Sequence, residues 1–406
     1  MGKIVVEKLY KIFGPDPHKA MDMLREGYSK DAIMEKMRHG VGVADASFHV
    51  EQGEILVIMG LSGSGKSTLV RCINRLIEPT AGKIFVDGED VTGLDKRGLR
   101  RFRQKHFGMV FQNFALLPHR TVLRNVEYGL EVQGVSVAVR RERSMQALEQ
   151  VGLKGWEDSM PDQLSGGMQQ RVGLARALAL EADIMLMDEA FSALDPLIRR
   201  DMQDELLNLQ EQVKKTIVFI SHDLDEAIKL GDRIALMKDG RIVQQGTAED
   251  ILANPANDYV AKFVEDVDLA KVITAGAVMK KSETIAHLRT DGPKAALRKM
   301  QKAGISSVFV SDHGRVVGIV TARDCRKAAD RGEKSLAPIV DRNIQKVLPD
   351  VQASELFAML GGSKNYPVAV VNEDDHLLGV IVVGSLLAKL GETYQGENGG
   401  KAERQD

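Results

Sequence analysis

The chain has 406 residues, a formal net charge of −2 at pH 7 and two cysteines. This length allows two or three domains, each large enough to bury its own hydrophobic core. The near-neutral charge, without a long basic block, argues against nucleic acid as the main partner. Cys72 and Cys325 lie far apart and outside any metal-ligand spacing, so we interpret both as small core residues in a reducing, cytoplasmic setting.

The N-terminus lacks the apolar core of a signal peptide. No stretch approaches the roughly 18 to 20 apolar residues that a membrane-spanning helix needs. If a membrane takes part in the function, we expect this chain to lie beside it.

The chain begins with two strand patterns separated by an insertion. Residues 4–13 and 41–50 predict strands, and 15–40 predict an inserted pair of short helices, the second of them capped by Ser29. Phe13 ends the first strand. Its ring either stacks against an adenine base or caps the core, and the residues alone leave both interpretations open.

A phosphate-binding loop is predicted at 60–68, where the sequence reads GLSGSGKST. An apolar strand pattern precedes it and a helix pattern follows, which is the order that such a loop requires. Backbone N–H groups then turn inward beside the N-terminus of the helix. A flexible turn is the alternative. We interpret eight residues as phosphate-binding: Gly60, Ser62, Gly63, Ser64, Gly65, Lys66, Ser67 and Thr68.

The chemistry of this loop indicates a nucleoside triphosphate. Lys66 would neutralise the β and γ phosphates, and Ser67 would give its hydroxyl to Mg²⁺. Further along, a basic helix is predicted at 96–105, whose charges form a solvated face or attract anionic lipid. A strand then ends at Gln112, which on its own is a weak indication.

Three side chains are predicted to complete a hydrolytic site. Asp188 ends a continuous apolar run that is typical of a central parallel strand, and it can hold Mg²⁺ through water. Glu189 is the natural base or water-orienting group. His222 ends a neighbouring strand at the same sheet edge, which favours a γ-phosphate contact. The alternatives are an acidic strand end without a catalytic role and a histidine packed in the core.

The stretch LSGGMQ at 164–169 opens a helix with two glycines. This makes a second anion-binding N-terminus, which a single active site does not need. The economical interpretation is that Ser165, Gly166 and Gly167 cover the γ-phosphate held by another copy. ATP would then lie between the two protomers of a symmetric homodimer.

The C-terminal part contains a repeat in which helix, strand, turn and strand recur, with Gly318 and Gly379 about 61 residues apart. The predicted domains are a nucleotide-binding domain at 1–265, a linker at 266–274, repeats at 275–332 and 333–391, and a disordered tail at 392–406.

Taken in order, these motifs resemble the ATP-binding cassette of ABC transporters over about residues 4–246. The resemblance identifies Walker A at 60–68, a Q-loop at Gln112, the signature at 164–169, Walker B ending in Asp188 and Glu189, a D-loop at 192–195 and a switch histidine at His222. It implies an α/β P-loop NTPase fold with a RecA-like core, an antiparallel β subdomain and a helical subdomain.

The resemblance also implies roles for individual residues. Phe13 takes the place of the family's adenine-stacking aromatic, Asp195 contacts nucleotide, and Gln112 contacts both nucleotide and metal. The loop at 114–118 would dock the coupling helices of a transmembrane partner.

Finer features resemble the ATPases of glycine betaine and proline betaine importers. These features are the insertion and the stretches at 74–80, 188–199 and 254–260. The resemblance implies an ATP-hydrolysing subunit bound to transmembrane permease subunits, with a substrate-binding domain or protein, at the cytoplasmic face of the cell membrane. The alternatives are an amino acid or polyamine as cargo, and a nucleotide-sensing interaction protein with little turnover.

The two C-terminal repeats resemble a tandem pair of CBS domains, which occurs in the same class. In CBS domains an acidic residue after the second strand often binds the ribose of an adenine nucleotide. Thr321 and Asp324 keep this pattern, whereas the second repeat has Ser385 in that place. We expect a brake or osmotic sensor that binds cyclic di-AMP or another adenine nucleotide, and a dimerisation module is the alternative.

Overall fold

The most apolar segments of the chain form the centre of a six-stranded sheet. In the computed structural model, β3 (Ile55–Met59), β7 (Ile184–Asp188) and β8 (Thr216–Ile220) are buried at every residue. The other strands are β6 (Phe107–Phe111), β9 (Arg233–Lys238) and β10 (Arg241–Gly246). The order is β10-β9-β3-β8-β7-β6, and only β10 is antiparallel to its neighbour. The predicted interior position of β7 is therefore confirmed, since helices cover both faces of such a sheet.

The structure describes residues 2–265, 272–281, 284–360, 366–382 and 384–386, without the side chains of 357 and 358. The chain divides into two units, Met1–Val267 and Asp268–Asp406. Most of the predicted linker and all of the predicted disordered tail lie outside the described residues. Among the helices that are described, none combines the length and apolar character needed to span a membrane.

An antiparallel sheet stands beside the parallel one in the first unit. Its strands are β1 (Ile4–Phe13), β2 (Gly40–Val50), β4 (Ala81–Val86) and β5 (Glu89–Asp90), in the order β2-β1-β4-β5. The insertion between β1 and β2 contains α1 (Pro17–Arg25) and α2 (Lys30–Met37). Ser29 caps α2 by accepting a hydrogen bond from Ala32 N at 3.1 Å, as predicted.

The remaining helices of the first unit follow the predicted order. They are α3 (Lys66–Ile73), α4 (Lys96–His106), α5 (Val122–Gln133), α6 (Val137–Gln150), α7 (Gly166–Ala179), α8 (Pro196–Val213), α9 (Leu224–Leu230), α10 (Ala248–Ala253) and α11 (Asp258–Val264). Helices α5, α6 and α7 pack on one another. Helix α4 buries Leu99 and Phe102 and exposes Lys96 and Arg100, so its basic side is solvated. Cys72 is buried and unbonded, as is Cys325 in the second unit.

The second unit contains two small sheets of the same topology, β11-β12-β13 and β14-β15-β16. Each has one parallel and one antiparallel pair, which matches the predicted repeat. The strands are β11 (Ala286–His287), β12 (Ser307–Asp312), β13 (Arg315–Thr321), β14 (Lys346–Val347), β15 (Val368–Val371) and β16 (Leu377–Ile381). The helices are α12 (Ala275–Val278), α13 (Pro293–Ala303), α14 (Ala322–Asp330) and α15 (Ala353–Leu360).

The two repeats exchange their opening segments. Val278, on α12 at the start of the first repeat, packs in the core of the second with Val347 and Leu356. Leu336, at the start of the second repeat, packs in the core of the first with Val310. Each core is therefore completed by a segment that the other repeat contributes.

Candidate nucleotide-binding site

The predicted phosphate-binding loop lies between β3 and α3. Gly60 and Gly65 have φ angles of +146° and +105°, which side chains rarely allow. A Cβ on Gly65 would lie 2.0 Å from the carbonyl oxygen of Gly42, and one on Gly60 would lie 2.2 Å from that of Met237. Glycine is thus required at both positions, because neighbouring backbone closes against the loop. Ser62 and Gly63 lie exposed at its tip.

Lys66 is buried at the start of α3 and bonds to its own loop. Its ammonium donates to the carbonyl oxygens of Gly60 at 2.7 Å and Leu61 at 3.2 Å. Burial lowers the pKa of Lys66, while the carboxylates of Glu189 and Asp188 act in the opposite direction. The loop therefore holds a cation beside the two acidic residues that the sequence singled out.

Ser67 and Asp188 meet where α3 faces the end of β7. The Ser67 hydroxyl donates to Asp188 Oδ1 at 2.8 Å, and Arg71 Nη2 donates to Asp188 Oδ2 at 3.1 Å. Asp188 is only 5% exposed. A hydroxyl and a carboxylate this close offer the oxygen ligands that Mg²⁺ prefers.

Glu189 is surrounded by residues from three strand ends. Its backbone has φ +48°. Gln112 Nε2 donates to Glu189 Oε2 at 3.1 Å and to Ser192 Oγ at 3.2 Å. His222 Nδ1 lies 3.8 Å from the same Glu189 oxygen. The structure thus brings Gln112, Glu189 and His222 together at the carboxyl edge of the sheet, where ligands bind in such folds.

Phe13 and Thr68 lie beside each other across Gly42. A Cβ on Gly42 would be 2.8 Å from Thr68 Cγ2 and 3.0 Å from Phe13 Cε2. The Phe13 side chain is 45% exposed, and the Lys11 ammonium lies 4.9 Å from its ring centroid. Such exposure contradicts the interpretation of Phe13 as a cap on the core. Ser64 lies within the loop, and its buried hydroxyl has no hydrogen-bond partner among the residues that the structure describes.

The signature stretch begins α7. Ser165 caps this helix by accepting from Met168 N at 3.3 Å, and Gly167 packs on α8, where a Cβ would lie 2.5 Å from Ile198 Cγ2. Asp195 caps α8 by accepting from the backbone N–H groups of Leu197 and Ile198. Within the described part of the chain, no hydrogen bond joins the signature residues, with Gly166 among them, to the phosphate-binding loop.

Two residues that the sequence reasoning missed contact this site or the Q-loop. Arg71 has been described above. Arg176 on α7 donates to the carbonyl oxygens of Ala115 at 2.6 Å and Phe114 at 3.0 Å. Phe114 and Ala115 both have positive φ angles, of +55° and +49°. Arg71 could have been found, because it lies one helical turn after Ser67, whereas no local pattern indicates Arg176.

The second unit contains a cavity of about 380 Å³ between the two repeats. Its polar and aromatic lining includes Thr284, Ser306, Ser307 and Tyr366. The predicted residues Thr321 and Asp324 lie outside this lining. The Thr321 hydroxyl donates to Asp324 Oδ2 at 2.7 Å, and Thr321 pairs with Ser307 across β12 and β13. Thr321 is therefore next to a residue of the lining, and Asp324 is joined to the lining through Thr321.

Comparisons with known proteins agree with this geometry. A family model described as ABC transporter matches residues 43–192, and one described as CBS domain matches 275–331. The glycine betaine transport ATP-binding protein of Bacillus subtilis (strain 168) is 55% identical over 96% of this chain and 92% of that protein. The glycine betaine/proline betaine transport system ATP-binding protein of Escherichia coli (strain K12) is 48% identical over 96% of this chain and 97% of its own.

Solved structures give the same result for the first unit. A dimeric structure of a bacterial ABC transporter cassette is 32% identical, has a TM-score of 0.51, and covers 60% of this chain and 98% of that chain. A post-hydrolysis dimer bound to ADP and phosphate has the same values. The chain belongs to the ABC transporter family, in the group of ATP-binding subunits that includes these betaine-transport proteins. The predicted fold class and resemblance are confirmed.

Proposed function

We propose that this chain is the ATP-hydrolysing subunit of an importer that powers uptake of glycine betaine or a related quaternary amine. The convergence of Lys66, Ser67, Asp188 and Glu189 on one glycine-rich loop carries the hydrolytic part. Identity of 48 to 55% to betaine-transport ATP-binding proteins over 96% of the chain favours the cargo. An amino acid or polyamine is the alternative cargo.

We assign the site residues different roles in hydrolysis. Mg²⁺ would be held by Ser67, Asp188 and Gln112, and it would neutralise phosphate charge. Lys66 would exchange the carbonyl oxygens of its loop for phosphate oxygens. Glu189 would orient the attacking water, and His222, 3.8 Å from that carboxylate, would contact the γ-phosphate.

The complete site would require two copies of the chain. Ser165, Gly166, Gly167 and Asp195 would cover the nucleotide bound by the other protomer. The dimeric cassette structures support this arrangement. The homodimer would bind transmembrane permease subunits, with a substrate-binding domain or protein, at the cytoplasmic face of the membrane. There, closure of the dimer on ATP would drive transport.

The CBS region would regulate this cycle. A CBS domain match at 275–331 and a cavity between the repeats support an adenine-nucleotide site, with cyclic di-AMP as the leading ligand. Binding there would act as a brake on ATP hydrolysis, or ionic strength would be sensed through this unit.

The experiment that tests the function is cargo-stimulated hydrolysis. The chain would be reconstituted with its permease subunits in vesicles, and ATPase activity measured with glycine betaine, proline and carnitine. We expect stimulation by the quaternary amines. Stimulation by proline alone would overturn the proposed cargo.

The same assay tests Glu189. Glu189→Gln keeps the shape of the side chain but removes the base, so we expect normal ATP binding and hydrolysis slower by about 100-fold or more. Glu211→Gln, on an exposed part of α8, is the matched control. Near-normal turnover of Glu189→Gln would remove Glu189 from the mechanism.

A further inference from the structure

Helix α2 of the insertion is tied to the side of the phosphate-binding loop. Lys30 at its start forms an ion pair with Asp239 at 2.7 Å. The next residue, Gly240, donates its backbone N–H to the carbonyl oxygen of Ser64 at 2.9 Å, within the loop itself. Two short contacts in series therefore connect α2 to the residues proposed to bind phosphate.

Met34 lies one helical turn after Lys30, on the same side of α2. A Cβ on Gly40 would lie 3.8 Å from Met34 Cε and 3.9 Å from Phe13 Cβ, so both side chains lie next to Gly40. Phe13 in turn reaches Thr68 on the first turn of α3 across Gly42. An apolar strip, defined by Met34, Phe13 and the Thr68 methyl group, thus runs from the insertion to the phosphate-binding helix.

The strip is exposed although its side chains are apolar. Met34 is 50% exposed and Phe13 is 45% exposed. Covering such apolar side chains stabilises a complex, because their surface is removed from water. The strip is continuous with the loop. We therefore take the base of a nucleotide whose phosphates lie in the loop as the group that covers the strip. A thioether also packs favourably on a flat aromatic ring.

We propose that Met34 forms a wall of the adenine pocket, beside Phe13. No residue of the insertion is proposed to bind phosphate. Through Met34, the insertion would instead bind the base of ATP. Met34 would add affinity through apolar contact with the adenine ring and would make no contact with phosphate. This inference rests on the proposed nucleotide site.

The test compares two ligands that differ in the base. Binding of Mg-ATP and of magnesium tripolyphosphate would be titrated on the full chain. Met34→Ser removes the apolar contact, and we expect about fivefold weaker ATP binding with unchanged tripolyphosphate binding. Met34→Leu, similar in volume, should restore ATP affinity. Glu35→Ala, an exposed neighbour on α2, is the control for the integrity of the helix.

Lys66→Ala distinguishes a failure of the proposed Met34 contact from a failure of the proposed phosphate site. We expect it to weaken binding of both ligands, because the ammonium serves phosphate. If Lys66→Ala behaves in this way and Met34→Ser binds ATP normally, the inference fails while the phosphate site stands. Equal loss of both ligands in Met34→Ser would also overturn it, since the helix would then act through the loop. Unaltered binding in Lys66→Ala would instead refute the proposed nucleotide site.

Discussion

The carboxyl group of Glu226 anchors the residue that precedes His222. The Ser221 hydroxyl donates to its Oε2 at 2.5 Å, and Gln203 Nε2 donates to its Oε1 at 3.1 Å. Burial raises the pKa of Glu226, and the two donors oppose that rise only in part. Because the folded pKa lies above the ordinary value of 4.5, the folded chain keeps its proton longer than the unfolded chain does. The contribution of Glu226 to stability is therefore lost as the pH rises from 4.5 through the folded pKa.

Glu226→Gln should flatten this part of the pH dependence. The amide cannot ionise, and it can still accept one hydrogen bond, so the free energy of unfolding should fall less than in the parent chain as the pH rises above 4.5. Urea unfolding of the full chain at several pH values, followed through the transition of the first unit, measures it. Glu226→Ala should cost about 2 kcal/mol, because it leaves Ser221 and Gln203 without their acceptor.

Glu211→Gln is the control, since that carboxylate is exposed. Equal slopes of stability against pH for Glu226→Gln and the parent chain would show that Glu226 does not cause this pH dependence.

Among the secondary-structure elements, α11 contacts the phosphate-binding loop, although it is not part of the loop's sequence motif. The Tyr259 hydroxyl donates to Met237 O at 3.4 Å and lies near the backbone N–H of Leu61. Leu61 is also one of the residues whose carbonyl oxygen holds Lys66. Asn257 fixes the start of the helix by accepting from the N–H groups of Tyr259 and Val260. Tyr259 is thus a positioning residue for the loop.

Tyr259→Phe keeps the ring and removes the hydroxyl. We expect the KM for ATP to rise about fivefold, the loss of roughly one hydrogen bond, while kcat changes little. Steady-state hydrolysis by the full chain measures both constants. Tyr28→Phe, at an exposed site in the insertion, should leave them unchanged. A fall in kcat with an unchanged KM would show that Tyr259 does not act through ATP binding.

Over the whole molecule, the sequence predicts single helices and strands better than it predicts the contacts between two of them. The strands β3, β7 and β8 were predictable because burial on both faces leaves an unbroken apolar run. The acidic residues at the end of β7 and the histidine after β8 follow from the same pattern.

Contacts between elements that are distant in the sequence could not be predicted from any local pattern. Arg176 binds carbonyl groups more than 60 residues away in the chain, and periodicity reports only neighbours along a helix or strand. The exchange of Val278 and Leu336 between the two repeats was hidden for the same reason. Each of them is an ordinary apolar residue whose partner lies in another repeat.

That exchange bears on regulation, because it ties both repeats into one unit around the cavity. Its volume of about 380 Å³ lies in the range of small-ligand sites. Hydroxyl groups of Ser306 and Ser307 and the ring of Tyr366 suit a sugar and a base. We predict binding of cyclic di-AMP or AMP by the full chain carrying Lys66→Ala, in which heat from the phosphate-binding loop is suppressed. Isothermal titration calorimetry measures it.

Asp324→Ala in that background should weaken binding about tenfold, since a charged acceptor for ribose is lost. Asp330→Ala, exposed at the end of the same helix, should bind as the parent does. Binding that is insensitive to Asp324→Ala would place the ligand away from Asp324 and remove Thr321 and Asp324 from the site. The absence of heat with cyclic di-AMP, AMP and ATP would favour the dimerisation module instead, because a core completed by both repeats needs no ligand to hold it together.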